Sequence, residues 1–262
     1  MPKVRVGDID LYYELTGEGT PLLVFIHGLG SSSLDWQKQV AFFSGKCKVL
    51  TIDVRGHGRS DKPKGPYSIP LFARDTAGLM KSLEFYPAYV VGHSMGGMIA
   101  FQMAVSFPEL IKAMVIVNSG PELVFRRFRD RWAFFLRRMI VRFFGMRRMA
   151  EVLGQMLFPE PDQEPLRKVF IQRWAENDKG AYLASLRALS GWSVADRLHQ
   201  ITCPTLVISA DQDYTPPSFK EAYVSKMRKA QMVVIPDSRH MTPLDQPERL
   251  ISALEAFLNQ QV

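Results

Sequence analysis

The hexapeptide Gly92-His93-Ser94-Met95-Gly96-Gly97 holds a serine between glycines in the pattern G-x-S-x-G. A strand-like run precedes it (YVVGH, 89–93) and a helix-like run follows it (95–106). That context predicts a sharp strand-to-helix turn that lifts the Ser94 hydroxyl to a helix N-terminus, with glycines where backbones approach too closely for a Cβ. A serine hydroxyl is a weak nucleophile until a base takes its proton. Of the five histidines, His27, His57 and His93 lie in Gly-rich turns and His199 ends a helical stretch. His240 follows an apolar strand and lies downstream of a strand-terminal acid, so it is the expected base. The acid that would hold its imidazole is expected after TLVIS (205–209), where Asp213 is chosen and Asp211 is the runner-up. Asp245 is given a different task, with Glu248, as a capping pair for the last helix, and Asp237 is assigned to turn chemistry. Ser94, Asp213 and His240 in that arrangement would carry out acyl transfer. The oxyanion that forms needs two donors. They are expected to be the N–H of Met95 and the N–H of Leu29, in the turn His27-Gly28-Leu29-Gly30.

The elements that must position these groups can be read along the 262 residues. A hairpin is expected from VRV (4–6) and IDLYYEL (9–15) across Gly7-Asp8. LLVFI (22–26) is a continuous apolar run of the kind buried on both faces, CKVLTID (47–53) reads as another buried strand, and 89–93, AMVIVN (113–118), 205–209 and QMVVIP (231–236) are strand-like. Helical patterns fall at 35–43, 70–85, 95–106, 217–228 and 246–259. Strands alternating with helices predict βαβ units and a mostly parallel sheet, an α/β fold. Between 121 and 200 the alternation stops and helices take over. The expected organisation is a core from 1–120 and 201–262, with a helical cap at 121–200 over the carboxyl edge of the sheet.

Composition is that of an ordinary globular chain, 47% apolar and 23% charged. No apolar run approaches a membrane span, and the first residues carry no apolar signal region. Cys47 and Cys203 lie outside any zinc-like spacing and read as reduced thiols, so no metal is expected and the protein is expected to be cytoplasmic. The net charge is +7, yet Arg126 to Arg148 alone hold nine arginines and one acid, a net of +8. The remainder sums to −1. A local patch of this kind argues against diffuse nucleic-acid binding.

Taken together, His27-Gly28, Asp53-Val-Arg-Gly-His-Gly-Arg-Ser60, the serine hexapeptide, Asp213 and His240 resemble the α/β-hydrolase superfamily, in its order Ser, Asp, His and over nearly the whole chain. Ala210 departs from the glycine many relatives carry before the acid loop. The resemblance implies a serine esterase acting on a carboxylic ester or thioester without a cofactor. Serine in place of aspartate argues against relatives that open epoxides or dehalogenate alkanes. Lactonases, C–C bond hydrolases and small-molecule receptors share the same triad and stand as alternatives.

Phe125, Phe128, Trp132, Phe135, Met139, Phe143 and Met146 recur at helical spacing, with Arg127, Arg131, Arg138 and Arg142 on the other side. The stripe is expected to pack against the sheet domain, as the wall of an apolar acyl pocket. The arginines are read first as the solvated face of a lid helix; the layout is similar to pimeloyl-[acyl-carrier protein] methyl ester esterases, which would make the four a dock for an acidic carrier protein. With the stripe buried, contact with a membrane surface ranks last.

Overall fold

The computed structural model describes residues 2–261. The hairpin forms as the turn predicts: β1 (Lys3–Val6) and β2 (Ile9–Thr16) run antiparallel, with Val6 opposite Ile9. The other strands are β3 (Leu22–Ile26), β4 (Lys48–Ile52), β5 (Ala88–His93), β6 (Ile111–Val117), β7 (Thr205–Ala210) and β8 (Ala230–Ile235). They form one eight-stranded sheet in the order β1-β2-β4-β3-β5-β6-β7-β8. From β4 to β8 every neighbouring pair is parallel, and β2 joins β4 antiparallel.

Every residue of β5 and β7 is buried, as their apolar sequences require. The helices α1 (Gln37–Phe43), α2 (Ile69–Ser82) and α3 (Met95–Ser106) divide between the two faces. α2 and α3 cover one face. The other is covered by α1 together with the chain's last helix, whose Leu250, Leu254 and Phe257 join Trp36 and Phe43 in a second core.

The helical insert lies between β6 and β7. It contains α4 (Phe128–Leu157), α5 (Glu164–Ala175) and α6 (Lys179–Leu189). α4 is two helices meeting at Gly145, whose φ of 80° and ψ of −178° are not helical. The two ends of the insert are hydrogen-bonded to each other: Leu123 N–H to Trp192 O (2.9 Å), Gly191 N–H to Leu123 O (2.9 Å) and Val194 N–H to Pro121 O (2.8 Å). After the insert come α7 (Pro217–Val224), α8 (Thr242–Asp245) and α9 (Pro247–Asn259).

One expectation is overturned here. The aromatic stripe does not pack on the sheet domain: Phe128, Trp132, Phe135 and Phe143 are exposed, Phe125 and Met139 are half-buried, and only Met146 is buried. α4 reaches the core through Val141, on the side opposite the aromatics, and through Met146, Met149 and Leu153 beyond the break at Gly145, which join Phe158, Phe170 and Tyr182. Helical periodicity marks a face as apolar without saying on which side the protein lies.

The segment Asp53 to Ser60 is a structural knot beneath the site. Asp53 accepts from Ser33 N–H (2.7 Å) and Arg59 N–H (2.8 Å). Arg55, almost wholly buried, donates to Asp75 (2.6 and 3.0 Å) and to Asp8 of the hairpin turn (3.0 and 2.5 Å). Removing one partner of a buried pair costs about 3–5 kcal/mol, because the other charge stays behind. Arg55→Met is therefore expected to lower the thermal midpoint by roughly 6–20 °C, read by calorimetry, at about 2–4 °C per kcal/mol for chains near this size.

Candidate active site

β5 delivers His93 to the carboxyl edge of the sheet and α3 departs at Met95. Ser94 makes the turn in a single residue, at φ 53° and ψ −116°. A non-glycine residue held there stores strain of order 1–3 kcal/mol. The surroundings impose it: Ser94 N–H donates to Val117 O (3.0 Å), and the Ser94 carbonyl accepts from Ser119 Oγ (2.6 Å) and Gly97 N–H (2.9 Å). A Cβ at Gly92 would strike the Gly96 carbonyl, and one at Gly96 would strike the Ile26 carbonyl. Both glycines of the pattern are therefore steric requirements of the turn.

The turn aims Ser94 Oγ at His240, 2.9 Å from Nε2, and Asp213 Oδ1 lies 2.6 Å from Nδ1 on the other side of the ring. The three residues expected from sequence thus meet in one hydrogen-bonded line. Asp213 is almost fully buried. Burial alone would raise its carboxyl, but His240 and the Lys220 ammonium oppose this and hold it well below the usual carboxylate range. Lys220, itself fully buried, donates to Asp213 Oδ2 (2.5 Å), Thr215 O and Thr215 Oγ1 (both 2.8 Å). Tyr214 N–H donates to Asp213 Oδ1 (2.7 Å), and the Tyr214 ring stacks on His240 with centroids 4.3 Å apart.

The runner-up acid, Asp211, faces away from His240 and accepts from Asp237 N–H (3.1 Å) and Ser238 N–H (3.0 Å). It ties the acid loop to the base loop. Asp237 occupies a left-handed turn position, φ 54°. The capping expectation for Asp245 fails. The N-cap of α9 is Gln246, with no side-chain cap bond, and Asp245 instead accepts from Ser238 Oγ (2.9 Å) and Arg239 N–H (2.7 Å). Bracing the loop that carries His240 has displaced the local cap, and burial pushes the Asp245 carboxyl up to about 6.

Two residues that sequence reasoning passed over fix the base. Asn118, at φ 47° just beyond β6, donates through Nδ2 to His240 O (2.8 Å) and Thr242 Oγ1 (2.7 Å), and its Oδ1 accepts from Ala210 N–H (2.7 Å). One amide thereby joins the end of β7 to the His240 loop. His93 lies 2.8 Å through Nε2 from the same His240 carbonyl. Burial pushes its imidazole down to about 3, so the ring is neutral and donates there. The sequence signal for Asn118 was only a polar residue ending an apolar strand. Asn118→Ala is expected to lower kcat about 10²-fold on a small ester, with KM little changed, because the base shifts while the substrate wall does not.

Leu29 and Met95, the expected oxyanion donors, are buried on either side of Ser94 in the chain path, and among the described residues neither N–H has an acceptor. The insert closes over the Leu29 turn: the Trp174 ring lies against Gly30, and Asn177 Nδ2 donates to Gly30 O (2.7 Å). Arg137 is half-buried on the inner side of α4, donates to Tyr182 Oη (2.6 Å), and lies over the rings of Trp174 and Tyr182. The four arginines singled out from sequence, Arg127, Arg131, Arg138 and Arg142, are exposed, and none is in an ion pair among the described residues.

Comparison with known proteins agrees with this geometry. A family model described as the alpha/beta hydrolase family matches residues 23–253. 3-Oxoadipate enol-lactonase 2 of Acinetobacter baylyi is 26% identical over 257 residues, covering 97% of this chain and 94% of that protein. The crystal structure of the enol-lactonase from Burkholderia xenovorans LB400 superposes with a TM-score of 0.91 at 26% identity, over 98% of this chain and 100% of that one. A thermophilic esterase from Thermogutta terrifontis superposes with a TM-score of 0.90 at 25% identity, over 100% and 99% of the two chains. With the family pattern spanning the sheet, the insert and the Ser94–His240–Asp213 line, the chain belongs to the alpha/beta hydrolase family.

Proposed function

We propose that the protein is a serine hydrolase that cleaves a carboxylic ester, open-chain or lactone, through an acyl-enzyme. The observation that carries this reading is the line Ser94 Oγ–His240–Asp213, at 2.9 and 2.6 Å. His240 Nε2 takes the hydroxyl proton as Ser94 Oγ bonds to the carbonyl carbon, and the carbonyl oxygen becomes an oxyanion between the Leu29 and Met95 N–H groups. The oxyanion collapses, the C–O bond breaks, and His240 returns its proton to the leaving alkoxide. Water then repeats the sequence on the acyl-enzyme and releases the acid. Thioesters would follow the same course. Relatives named as an enol-lactonase and an esterase support the bond class.

Turnover of p-nitrophenyl esters from acetyl to dodecanoyl, and of a simple lactone, tests the reading together with fluorophosphonate labelling. Sustained turnover with an adduct on Ser94 is the expected outcome. No turnover and no adduct would sink it. A tightly held ligand released after a single slow turnover would favour a receptor.

The Tyr214 ring stacks on His240, and Trp174, against the Leu29 turn, packs on Tyr182, so the surroundings of Ser94 form an aromatic wall that suits an apolar acyl body. Arg137 is set into that wall without an acidic partner among the described residues, so an acyl chain ending in a carboxylate fits best. A hydrogen bond to a charged group contributes about 1.5–3 kcal/mol. Arg137→Gln is accordingly expected to cut kcat/KM for a p-nitrophenyl hemiester of a dicarboxylic acid by roughly 10- to 150-fold. The uncharged ester of equal length serves as control and should change little.

A further inference from the structure

The outer face of α4 carries an exposed apolar ridge edged with arginines. At 100° per residue, Phe128, Trp132, Phe135, Met139 and Phe143 fall within an arc of roughly 80°. The aromatic side chains of this arc are exposed, Phe128 80%, Phe143 70% and Trp132 51%, and Met139 is half-buried. Phe128, Trp132 and Phe135 stack in a ladder, with centroids 6.4 and 5.4 Å apart. On the same projection Arg131, Arg138 and Arg142 line one margin of the ridge and Arg129 the other. Arg137 lies on the opposite side, over Trp174 and Tyr182.

We infer that this face docks on anionic phospholipid bilayers, with α4 lying in the interface plane. The aromatic ridge enters the headgroup–acyl boundary and the marginal arginines hold lipid phosphates. Stable surface attachment takes two signals, apolar insertion and basic charge, and the helix supplies both along one edge. Arginine stems can follow the ridge down while the guanidinium forks stay at phosphate level. A second copy of this chain is a poor occupant, because the segment 126–148 would bring its net +8 against an equal charge. An acidic protein would satisfy the arginines but leave the convex ridge without an apolar counterpart.

Trp36, Trp174 and Trp192 are buried, so Trp132 is the exposed tryptophan and an intrinsic probe of this face. The full chain is mixed with vesicles of phosphatidylcholine, with or without phosphatidylglycerol. Co-sedimentation, emission wavelength and quenching by brominated acyl chains are measured. The expected result is co-sedimentation with the anionic vesicles only, a blue shift, and quenching. Both optical changes should vanish in Trp132→Phe while sedimentation persists. Arg138→Gln with Arg142→Gln should lower partitioning about thirty-fold, at roughly 1 kcal/mol per basic residue and 1.4 kcal/mol per tenfold. Phe128→Ser with Phe143→Ser should abolish quenching and leave turnover of a water-soluble ester unchanged. The inference is overturned by failure to sediment with anionic vesicles, or by sedimentation without quenching. It is equally overturned if an acidic carrier protein or a second copy of the chain binds this face in preference to the vesicles.

Discussion

Ser94→Ala is expected to lower kcat for a p-nitrophenyl ester on the order of 10⁶-fold, equivalent to about 8 kcal/mol of transition-state stabilisation. The size follows from what is lost. Without the hydroxyl there is no covalent intermediate, and His240 has no proton to move. Little else should change. Alanine meets the same backbone restriction at φ 53° as serine, and the bonds that hold the turn, from Val117, Ser119 and Gly97, use only the Ser94 main chain. The variant should melt near the parent temperature and still bind an acid product. His240→Ala should fall nearly as far, and the double variant little further, because the pair acts as a unit. Activity within tenfold of the parent in Ser94→Ala, after titration for contaminating enzyme, would end the serine-hydrolase reading.

Asp213→Asn is expected to cost about 10⁴-fold in kcat, from loss of the anion that holds the imidazole. The amide can donate to Nδ1, which leaves the proton on Nε2, where it cannot accept from Ser94 Oγ. A second effect is peculiar to this site. Lys220, fully buried, would be left facing a neutral amide. Breaking such a pair costs about 3–5 kcal/mol, so the melting temperature should fall together with the rate. Adding Lys220→Met to Asp213→Asn should restore much of the stability and none of the rate. Recovery of the rate would show that Asp213 acts only through folding. The pH behaviour follows the same geometry. The folded carboxyl is depressed, so the stability it contributes is complete above its unfolded value near 3.9 and is lost as pH falls below that. Loss of kcat/KM on mild acidification should therefore set in with the Asp213 carboxylate still ionised.

The core of this site was legible because its parts are local. G-x-S-x-G between a strand and a helix leaves the backbone one economical turn, and His240 and Asp213 each follow a strand run that ends on the same sheet edge. What escaped reading depends on how loops fold back on themselves or on contacts distant in sequence. Lys220 sits one turn into a helix and becomes part of the acid site only because the chain folds back on Asp213. Asn118 gains its role from β7 and the His240 loop together. Asp245 carries a capping signature, yet the loop it can brace offered better donors than the helix end. The stripe on α4 was found with the right spacing and placed on the wrong side. The residues that give the inner face its contacts, Val141 and Arg137, are too few and too mixed in character to outweigh five aromatics in a periodicity reading.

The paired ends of the insert have a consequence for how such enzymes diversify and are engineered. Because Leu123 and Pro121 are hydrogen-bonded to Trp192, Gly191 and Val194, the sheet meets the insert through a closed clasp. Apart from the insert's contacts with core loops, such as Trp174 and Asn177 on Gly30 and Arg173 on Leu34 O, the core therefore experiences the same boundary whatever lies beyond it. A longer or shorter passenger changes the closure entropy by only about 0.6 kcal/mol per doubling of length. A foreign helical segment spliced between residues 124 and 190 should leave the hydroxyl–imidazole–carboxylate line in register while replacing the substrate wall and the outer face at once. Selectivity and cellular address would then be exchangeable as one cassette, with bond cleavage kept in the chassis.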